Sequence, residues 1–384
     1  MAADRTTPAP ETPAAPATPA TPTTPAALRH LRERIDALDL ELLALLNRRM
    51  QVVVEVGELK KSEGSPVFRP EREAQVIAAL KAANLGPLQG ESVAPIWREI
   101  MSASRALEAP TRVAYLGPAG TFSEEAALGF FGSSIVRLPC ASFDEVFRAT
   151  TAGAADFGVV PVENSTEGVV ARSLDLFLTT PLFIIGETSL IVRHNLLRKQ
   201  NDRVAIKAVL AHPQALAQCH GWLSLHLPDA ERRPVSSNAE GARLAAADSS
   251  LAAIASTRAA AEFGLHVLSP AIQDDAHNRT RFVVVTHPDR HPAPQPSGHD
   301  CTSLVVSVDN KPGAVHDMLV PLKLHGVSMT RFESRPARSG QWEYYFYIDI
   351  AGHPDEAHVG TALRALRETC AFFKVLGTYP LDKK

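Results

Sequence analysis

Cysteine is scarce and scattered in this chain: Cys140, Cys219, Cys301 and Cys370 are the only four among 384 residues, and no two form a CxxC pair. Such spacing excludes a disulfide framework or a cysteine zinc site and points to reduced thiols in a cytoplasmic protein. Long hydrophobic runs are missing too. None approaches the roughly 20 residues of a membrane-spanning helix, so no membrane partner is expected. Nor is charge of one sign in excess. The formal net charge is -3, without the basic surplus that nucleic-acid binding calls for. After Asp4 and Arg5 the N-terminus runs through Pro, Ala and Thr with no apolar core, so a secretory signal is not expected. What is present is an ordinary globular balance of 45% hydrophobic and 21% charged residues. The length suits about two or three domains with substantial cores.

Residues 1–26 form a Pro/Ala/Thr tract that cannot bury a core and reads as a disordered tail. Residues 27–109 read as all-helical. One long helix spans about 27–61, and a second starts at Pro70 with Glu71 and Glu73 in its positive first turn. A third runs from about Ser92 to Glu108, with Val93, Ile96, Trp97, Ile100 and Met101 at helical spacing. From 111 to 287 short apolar strands alternate with helices, as in an open α/β sheet. Residues 288–299 read as a linker. His291 and His299 within it, and His287 just before it, lack the spacing of metal ligands, so no metal is expected. Residues 300–384 read strand (303–308), helix (314–325), strand (327–333), strand (342–350), helix (355–369), strand (372–378). That βαββαβ order suits an α+β ferredoxin-like domain.

The long helix carries the most informative pattern. Leu31, Ile35, Leu38, Leu42, Leu45, Val52, Val56 and Leu59 recur at alternating steps of four and three, and the position that completes the series is Arg49. Such a stripe packs against a partner helix as in a coiled coil, so a homodimer or larger homo-oligomer is expected. A guanidinium in the stripe keeps its proton and must be paired or face a wet cavity. Lys60, about three turns further on, points nearly the same way, and the two cations read as a pocket for an anion. A structural salt bridge to a buried Glu, or snorkelling to the surface, gives the same pattern. Arg32 lies about 100° from that direction and can reach a different pocket, such as a dimer partner's. Arg72 and Glu73 open the second helix, while Ser104 and Glu108 share one face of the third.

Leu31-Arg32-Glu33-x-Ile35-Asp36-x-Leu38-Asp39, then Arg48-Arg49 and Val54-Glu55-Val56-Gly57-x-x-Lys60, make residues 30–108 resemble the all-α chorismate mutase domain. The resemblance implies that Arg32 from a partner subunit, Arg49 and Arg72 hold the two carboxylates of chorismate. Lys60 and Glu108 then meet the ether oxygen whose bond breaks, Glu73 meets the ring hydroxyl, and Ser104 contacts substrate. A Claisen rearrangement needs a folded substrate and donors where charge develops, not a nucleophile, metal or cofactor. Some members carry Gln at the place of Glu108. A Glu donates only when protonated, so the mutase rate is expected to fall as pH rises, and a flat profile would refute this.

Four polar clusters of the central region sit at strand–helix junctions. They are Gly117-Pro118-Ala119-Gly120-Thr121-Phe122-Ser123-Glu124, Pro161-Val162-Glu163-Asn164-Ser165-Thr166-Glu167-Gly168, Ser236-Ser237-Asn238-Ala239-Glu240 and Asn278-Arg279-Thr280-Arg281-Phe282. Each alone also suits an ordinary cap or turn. Loops at sheet ends converge in such folds and build ligand clefts. Together with Leu210-Ala211-His212-Pro213-Gln214-Ala215-Leu216 and Cys219, they make residues 112–286 resemble prephenate dehydratase, a two-lobed α/β domain with its site in the cleft. By that resemblance Thr280 is the hydrogen-bond donor to the leaving hydroxyl. Thr121, Ser123, Asn164, Ser165, Ser237 and Asn238 bind prephenate, and Arg281 is a carboxylate partner. His212 could serve as an acid, but a structural core histidine is the reading preferred.

In the C-terminal domain, Asn310-Lys311-Pro312-Gly313-Ala314 opens the first helix and Glu333-Ser334-Arg335-Pro336 closes the second strand. Both strings resemble phenylalanine-sensing ACT domains, which implies L-phenylalanine as an allosteric inhibitor at Asn310, Pro312, Gly313, Ala314, Glu333, Ser334 and Arg335. A domain that only dimerises is the plainer alternative. The whole chain then resembles the bifunctional chorismate mutase/prephenate dehydratases of phenylalanine synthesis. Two rivals stand beside that reading: a dehydratase whose helical domain only dimerises, and a two-lobed regulator that binds small anions without chemistry.

Overall fold

Three helices open the chain: α1 (Thr24–Glu63), α2 (Pro70–Ala83) and α3 (Gly90–Glu108). The computed structural model describes residues 24–63, 65–202, 206–337 and 344–381. The expected tail therefore lies outside the described residues as far as residue 23, and Thr24 to Ala26 already belong to α1. Two compact units divide between Val52 and Val53, within α1. Along α1 the seam predicted from the 4-3 spacing is a row of uncovered side chains, from 40% exposed at Val56 to 63% at Leu59.

The α/β region begins with β1 (Arg112–Leu116), α4 (Phe122–Phe131), β2 (Val136–Cys140), α5 (Phe143–Ala152) and β3 (Phe157–Asn164). It continues with β4 (Gly168–Val169), α6 (Ala171–Thr179) and β5 (Phe183–Ile191). The chain then crosses to a second lobe: β6 (Asn195–Arg198), β7 (Ala208–Ala211), α7 (Pro213–Gln218), α8 (His220–His226) and β8 (Glu231–Pro234). Next come α9 (Asn238–Ala247), β9 (Leu251–Ala255), α10 (Thr257–Phe263) and β10 (His266–Ser269), and β11 (Arg279–Thr286) returns to the first lobe. The second lobe has its own sheet, ordered β10-β6-β9-β7-β8. Two crossings thus join the lobes, at 192–194 and 270–278. Continuous apolar runs explain the central strands: Phe282 to Val285 of β11 are buried on both faces between β3 and β5.

The C-terminal region is β12 (Asp300–Ser307), α11 (Ala314–Leu324), β13 (Met329–Pro336), β14 (Tyr344–Ala351), α12 (Ala357–Thr369) and β15 (Phe372–Pro380). The βαββαβ order is as expected. Glu333-Ser334-Arg335-Pro336 closes the second strand as expected, but that strand runs Met329–Pro336 and not 327–333, and residues 342 and 343 of the expected third strand lie outside the described residues. This sheet does not stand apart. The order β13-β14-β12-β15-β5-β11-β3-β1-β2 runs from one region into the other. The join is a parallel contact of Gly377 with Ile184. Gly377 has φ of +155°, and a Cβ there would stand 2.1 Å from the Ile184 carbonyl oxygen, so only glycine allows the approach. Cores are shared as well: Val162, Phe177 and Val283 pack in one cluster with Val305, Tyr347 and Leu376.

The presumed linker is pinned. His291 is buried, and its Nε2 lies 2.5 Å from the Phe68 carbonyl oxygen. Phe68, between α1 and α2, packs in the aromatic cluster of Phe130, Phe131 and Phe157.

Candidate active sites

In the second unit, Gly57 is buried where the end of α1 meets the end of α3. A Cβ at Gly57 would lie 3.0 Å from Cγ of Glu108, so the missing side chain admits Glu108 to this contact. Lys60 Nζ then donates to Glu108 Oε2 at 2.9 Å and to the Val67 carbonyl at 3.3 Å. The two groups expected to meet one substrate oxygen are therefore adjacent across 48 residues of sequence. Glu73 is paired with Arg105, a buried residue that also donates to the Phe131 carbonyl and lies 5.1 Å from the centroid of Phe68. Burial pushes the Glu73 carboxyl above its usual range, and Arg105 opposes that push. Sequence reading missed Arg105, which follows Ser104 in the last turn of α3. Ser104 is buried and its hydroxyl donates to the Ile100 carbonyl at 2.7 Å, while Arg72 is exposed. Arg32, exposed, and Arg49, half-buried, belong to the first unit.

Between the two lobes of the α/β region lies a cleft of about 960 Å³. Thr121, Ser123, Asn164, Ser237, Asn238 and Thr280 all line it. Its described lining contains no Asp, Glu, Lys or Arg; hydroxyls, amides, imidazoles and the starts of α4 and α9 supply the polarity. Thr121 caps α4 by accepting from the Glu124 amide at 3.4 Å and donates to the Leu116 carbonyl at 2.9 Å. Ser237 caps α9 by accepting from the Glu240 amide at 3.0 Å, and Asn238 Oδ1 accepts from the His212 amide at 2.9 Å. Beneath α4, Glu124 is fully buried. Burial would raise its carboxyl, but the Gly120 amide, Arg137 and Arg258 outweigh it and hold the group below the usual carboxylate range.

The centre of the cleft is a chain of amides. Asn164 Oδ1 accepts from the backbone amides of Thr166 and Glu167, both at 3.0 Å, which fixes which end of the side chain is nitrogen. Its Nδ2 donates to Asn278 Oδ1 and to Thr280 Oγ1, each at 2.8 Å. Asn278 Nδ2 donates in turn to Gln218 Oε1 at 3.0 Å, and His194 Nε2 donates to the same oxygen at 2.9 Å. His194 therefore carries its proton on Nε2 and keeps Nδ1 as a buried acceptor with no partner among the described residues. Burial lowers its pKa, so the ring is neutral at pH 7. His194 and Gln218 were not picked out from the sequence: His194 lies in the crossing at 192–194 and Gln218 at the end of α7, just past the string at 210–216.

Three expected positions fall elsewhere. Ser165 is exposed and outside the cleft lining, where its Oγ accepts from the Arg279 amide at 2.9 Å, tying two loops together. His212 is no core residue: it is exposed on the cleft wall, and its Nδ1 accepts from the Gln214 amide at 3.3 Å. Arg281 faces away from the cleft because successive residues of a strand point to opposite faces. Thr280 and Phe282 line the cleft, whereas Arg281 reaches Asp349 of β14 at 2.8 Å and Tyr379 of β15 at 2.9 Å.

In the C-terminal region Gly313 caps α11 with φ of +81°, beside exposed Asn310 and Pro312 and buried Ala314. Glu333 and Arg335 share one face of β13, and Arg335 meets Asp175 of α6 at 3.3 Å. Ser334 points to the other, exposed face.

Residues 31–109 match the family model for chorismate mutase type II, 113–290 that for prephenate dehydratase and 302–368 that for the ACT domain. A bifunctional chorismate mutase/prephenate dehydratase of Neisseria gonorrhoeae is 48% identical over 352 residues, spanning 91% of this chain and 96% of its own. A protein of the same description from Pseudomonas aeruginosa is 45% identical, spanning 92% and 97%. Among solved structures, prephenate dehydratase of Arthrobacter aurescens in complex with L-Phe is 34% identical. It covers 70% of this chain and 90% of its own, with a TM-score of 0.63.

Proposed function

The chain belongs to the bifunctional chorismate mutase/prephenate dehydratase family, and from that premise we propose how its residues divide the two reactions. The protein is an enzyme with both activities, followed by an ACT domain. Chorismate becomes prephenate in the helical domain. Prephenate then loses carbon dioxide and its ring hydroxyl in the two-lobed domain, giving phenylpyruvate for phenylalanine synthesis.

For the rearrangement, Lys60 and Glu108 address the ether oxygen, a role supported by their convergence at 2.9 Å. Arg49, Arg72 and Arg32 of the partner subunit take the carboxylates, Glu73 the ring hydroxyl, and Ser104 lines the substrate. The uncovered apolar seam of α1 supports a homodimer in which a second copy's helix covers it. Three buried cysteines and one half-buried, all free, fit a reducing cytoplasm.

One observation carries the dehydration: Asn164 donates to Thr280 Oγ1 at 2.8 Å. With that lone pair occupied by a fixed donor, the Thr280 proton is left for another acceptor, the leaving hydroxyl of prephenate. As carbon dioxide departs, the electron pair of the breaking C–C bond enters the ring and expels hydroxide, which needs a strong hydrogen bond or a proton. A threonine hydroxyl is a weak acid, so Thr280 polarises the leaving group while aromatisation supplies most of the drive. Ser123, Ser237 and Asn238 offer neutral donors to the substrate carboxylates, and Thr121, whose own proton goes to the Leu116 carbonyl, fixes the start of α4 so that its dipole faces them. Phenylalanine is the feedback inhibitor of the ACT domain, bound through Asn310, Pro312, Gly313, Ala314, Glu333, Ser334 and Arg335. The L-Phe complex of the Arthrobacter relative supports this.

The test supplies purified protein with chorismate alone and follows chorismate, prephenate and phenylpyruvate, with and without phenylalanine. Phenylpyruvate should accumulate, and more slowly when phenylalanine is present. Chorismate consumed no faster than its spontaneous rate would reduce the helical domain to a dimerisation element. A failure to turn over added prephenate would leave only an anion-binding cleft.

A further inference from the structure

Two strands of the large sheet carry a cleft residue and an interface residue side by side. On β11, Thr280 faces the cleft and Arg281 faces the C-terminal domain; on β3, Asn164 faces the cleft and Glu163 the domain. The strands are in register at both places, Thr280 opposite Asn164 and Arg281 opposite Glu163. The hydrogen bond that aims the Thr280 hydroxyl therefore sits directly behind a set of charges held by another domain.

Arg281 is fixed on three sides. Its Nε donates to Glu187 Oε2 at 2.8 Å, its Nη2 to Tyr379 Oη at 2.9 Å, and its Nη1 meets Asp349 Oδ2 at 2.8 Å. The partners are themselves held: Tyr379 is fully buried and donates to Glu187 at 3.2 Å, and Ser303 donates to Asp349 at 2.5 Å. Next to this set, Arg331 of β13 meets Glu163 at 2.8 Å. Arg281 is 19% exposed and Asp349 only 7%. A paired charge in such surroundings cannot shift without its partners, because an unpaired buried charge is strongly unfavourable.

We propose that Arg281 is a positioning residue for the dehydration, through which the ACT domain sets the orientation of Thr280 from behind the sheet. This inference rests on the reading of Thr280 given above and adds the residue that couples it to regulation. Asp349 and Tyr379 belong to the ACT domain, whereas Arg281 shares a peptide bond with Thr280. A ligand that binds one arrangement of the ACT domain better than another acts on the reaction only through contacts that differ between those arrangements. The Arg281 contacts are placed to be such contacts.

The experiment uses the full-length protein with Arg281→Lys, Asp349→Asn and Tyr379→Phe, assayed for prephenate turnover and for inhibition by phenylalanine. Wild-type turnover of prephenate is measured first, so failure of the underlying reading is seen before any variant is compared. Mutase activity of each preparation serves as the internal control for folding. Since Arg281 faces away from the cleft, Arg281→Lys should lower kcat by about 10- to 100-fold, the scale of a misplaced catalytic group. KM for prephenate should stay within about threefold, the sign of an interaction made only in the transition state. Asp349→Asn, in another domain, should lower kcat in the same way and weaken the response to phenylalanine. Tyr379→Phe removes one hydroxyl and keeps the packing, so it decides the matter if either charge variant loses mutase activity; its kcat should fall by a smaller factor. A KM raised more than about tenfold at unchanged kcat in Arg281→Lys would make Arg281 a substrate contact and overturn the proposal. Wild-type kcat and inhibition in Asp349→Asn and Tyr379→Phe would overturn it equally.

Discussion

In the cleft of the α/β region the amides around Thr280 are held by other groups of the same chain. Thr280 is held by Asn164, Asn164 by two backbone amides and Asn278, and Asn278 by Gln218. Along α1 the situation is the reverse: Leu31, Ile35, Leu38, Leu42 and Leu45 form a regular stripe, each about half exposed or more. The cleft is finished within one chain, whereas the stripe has the periodicity of a packed seam and no described cover. A single polypeptide thus carries one cleft that its own fold preorganises and, on the reading proposed above, one site that a second copy completes. The two activities should therefore respond differently to dilution, mutation and pH.

The largest expected effect comes from breaking the seam. Leu38→Glu with Leu42→Glu places charges where the stripe must be apolar. Mutase activity should fall by more than about 10²-fold, the scale of a lost charge-stabilising contact in a site. Turnover of added prephenate should stay within about twofold, because distant, independent sites are affected separately. Sedimentation run alongside both assays checks the cause. A monomeric variant that keeps its mutase rate would erase the comparison.

Next in size is Thr280→Val, which keeps the shape of the side chain and removes its proton. Prephenate dehydration should slow by about 10²- to 10³-fold, as for loss of one preorganised donor, while chorismate rearrangement is unchanged. A retained rate would transfer the donor role to another group of the cleft, with His212 the first to test, since its Nδ1 accepts from the Gln214 amide and its proton therefore sits on Nε2.

How much of this was legible in the sequence follows the same division. The Lys60–Glu108 pair and the Asn164–Thr280 pair, the latter 116 positions apart, came from motif strings and were found in contact. The βαββαβ order came from strand and helix periodicity. What stayed hidden depends on tertiary packing. Arg105 sits in the last turn of a helix, where a cation ordinarily reaches solvent, yet it is buried between Glu73 and the Phe131 carbonyl. His291 lies in a polar stretch that reads as a tether, but Phe68 arrives from 223 positions away to bury it. Arg281 is a different kind of miss. Its neighbours Thr280 and Phe282 face the cleft, so strand alternation already assigns Arg281 to the opposite side. A motif string records which residues recur together and not which way each one points.

The smallest effect tests whether the cleft's own framework is separable from its chemistry. Glu124 is fully buried at the base of α4, accepts from the Gly120 amide at 2.7 Å and pairs with Arg137 at 2.6 Å. These partners outweigh burial and hold its folded-state pKa below the unfolded value. A depressed carboxyl contributes stability above the unfolded pKa and loses it as pH falls through the folded one. Glu124→Gln should therefore cost about 1–3 kcal/mol at pH 7, as for a broken buried hydrogen bond to charge. The difference from wild type should shrink as the pH drops below the ordinary carboxylate range, where both side chains are neutral. Urea melts at the two pH values measure this, and prephenate KM measured on the same samples asks whether the loop from Gly117 to Ser123 still presents its donors. A penalty independent of pH would mean that Glu124 acts through packing alone. Loss of substrate binding without loss of stability would instead make its hold on Gly120 part of the site, and the separation between framework and chemistry in the cleft would no longer stand.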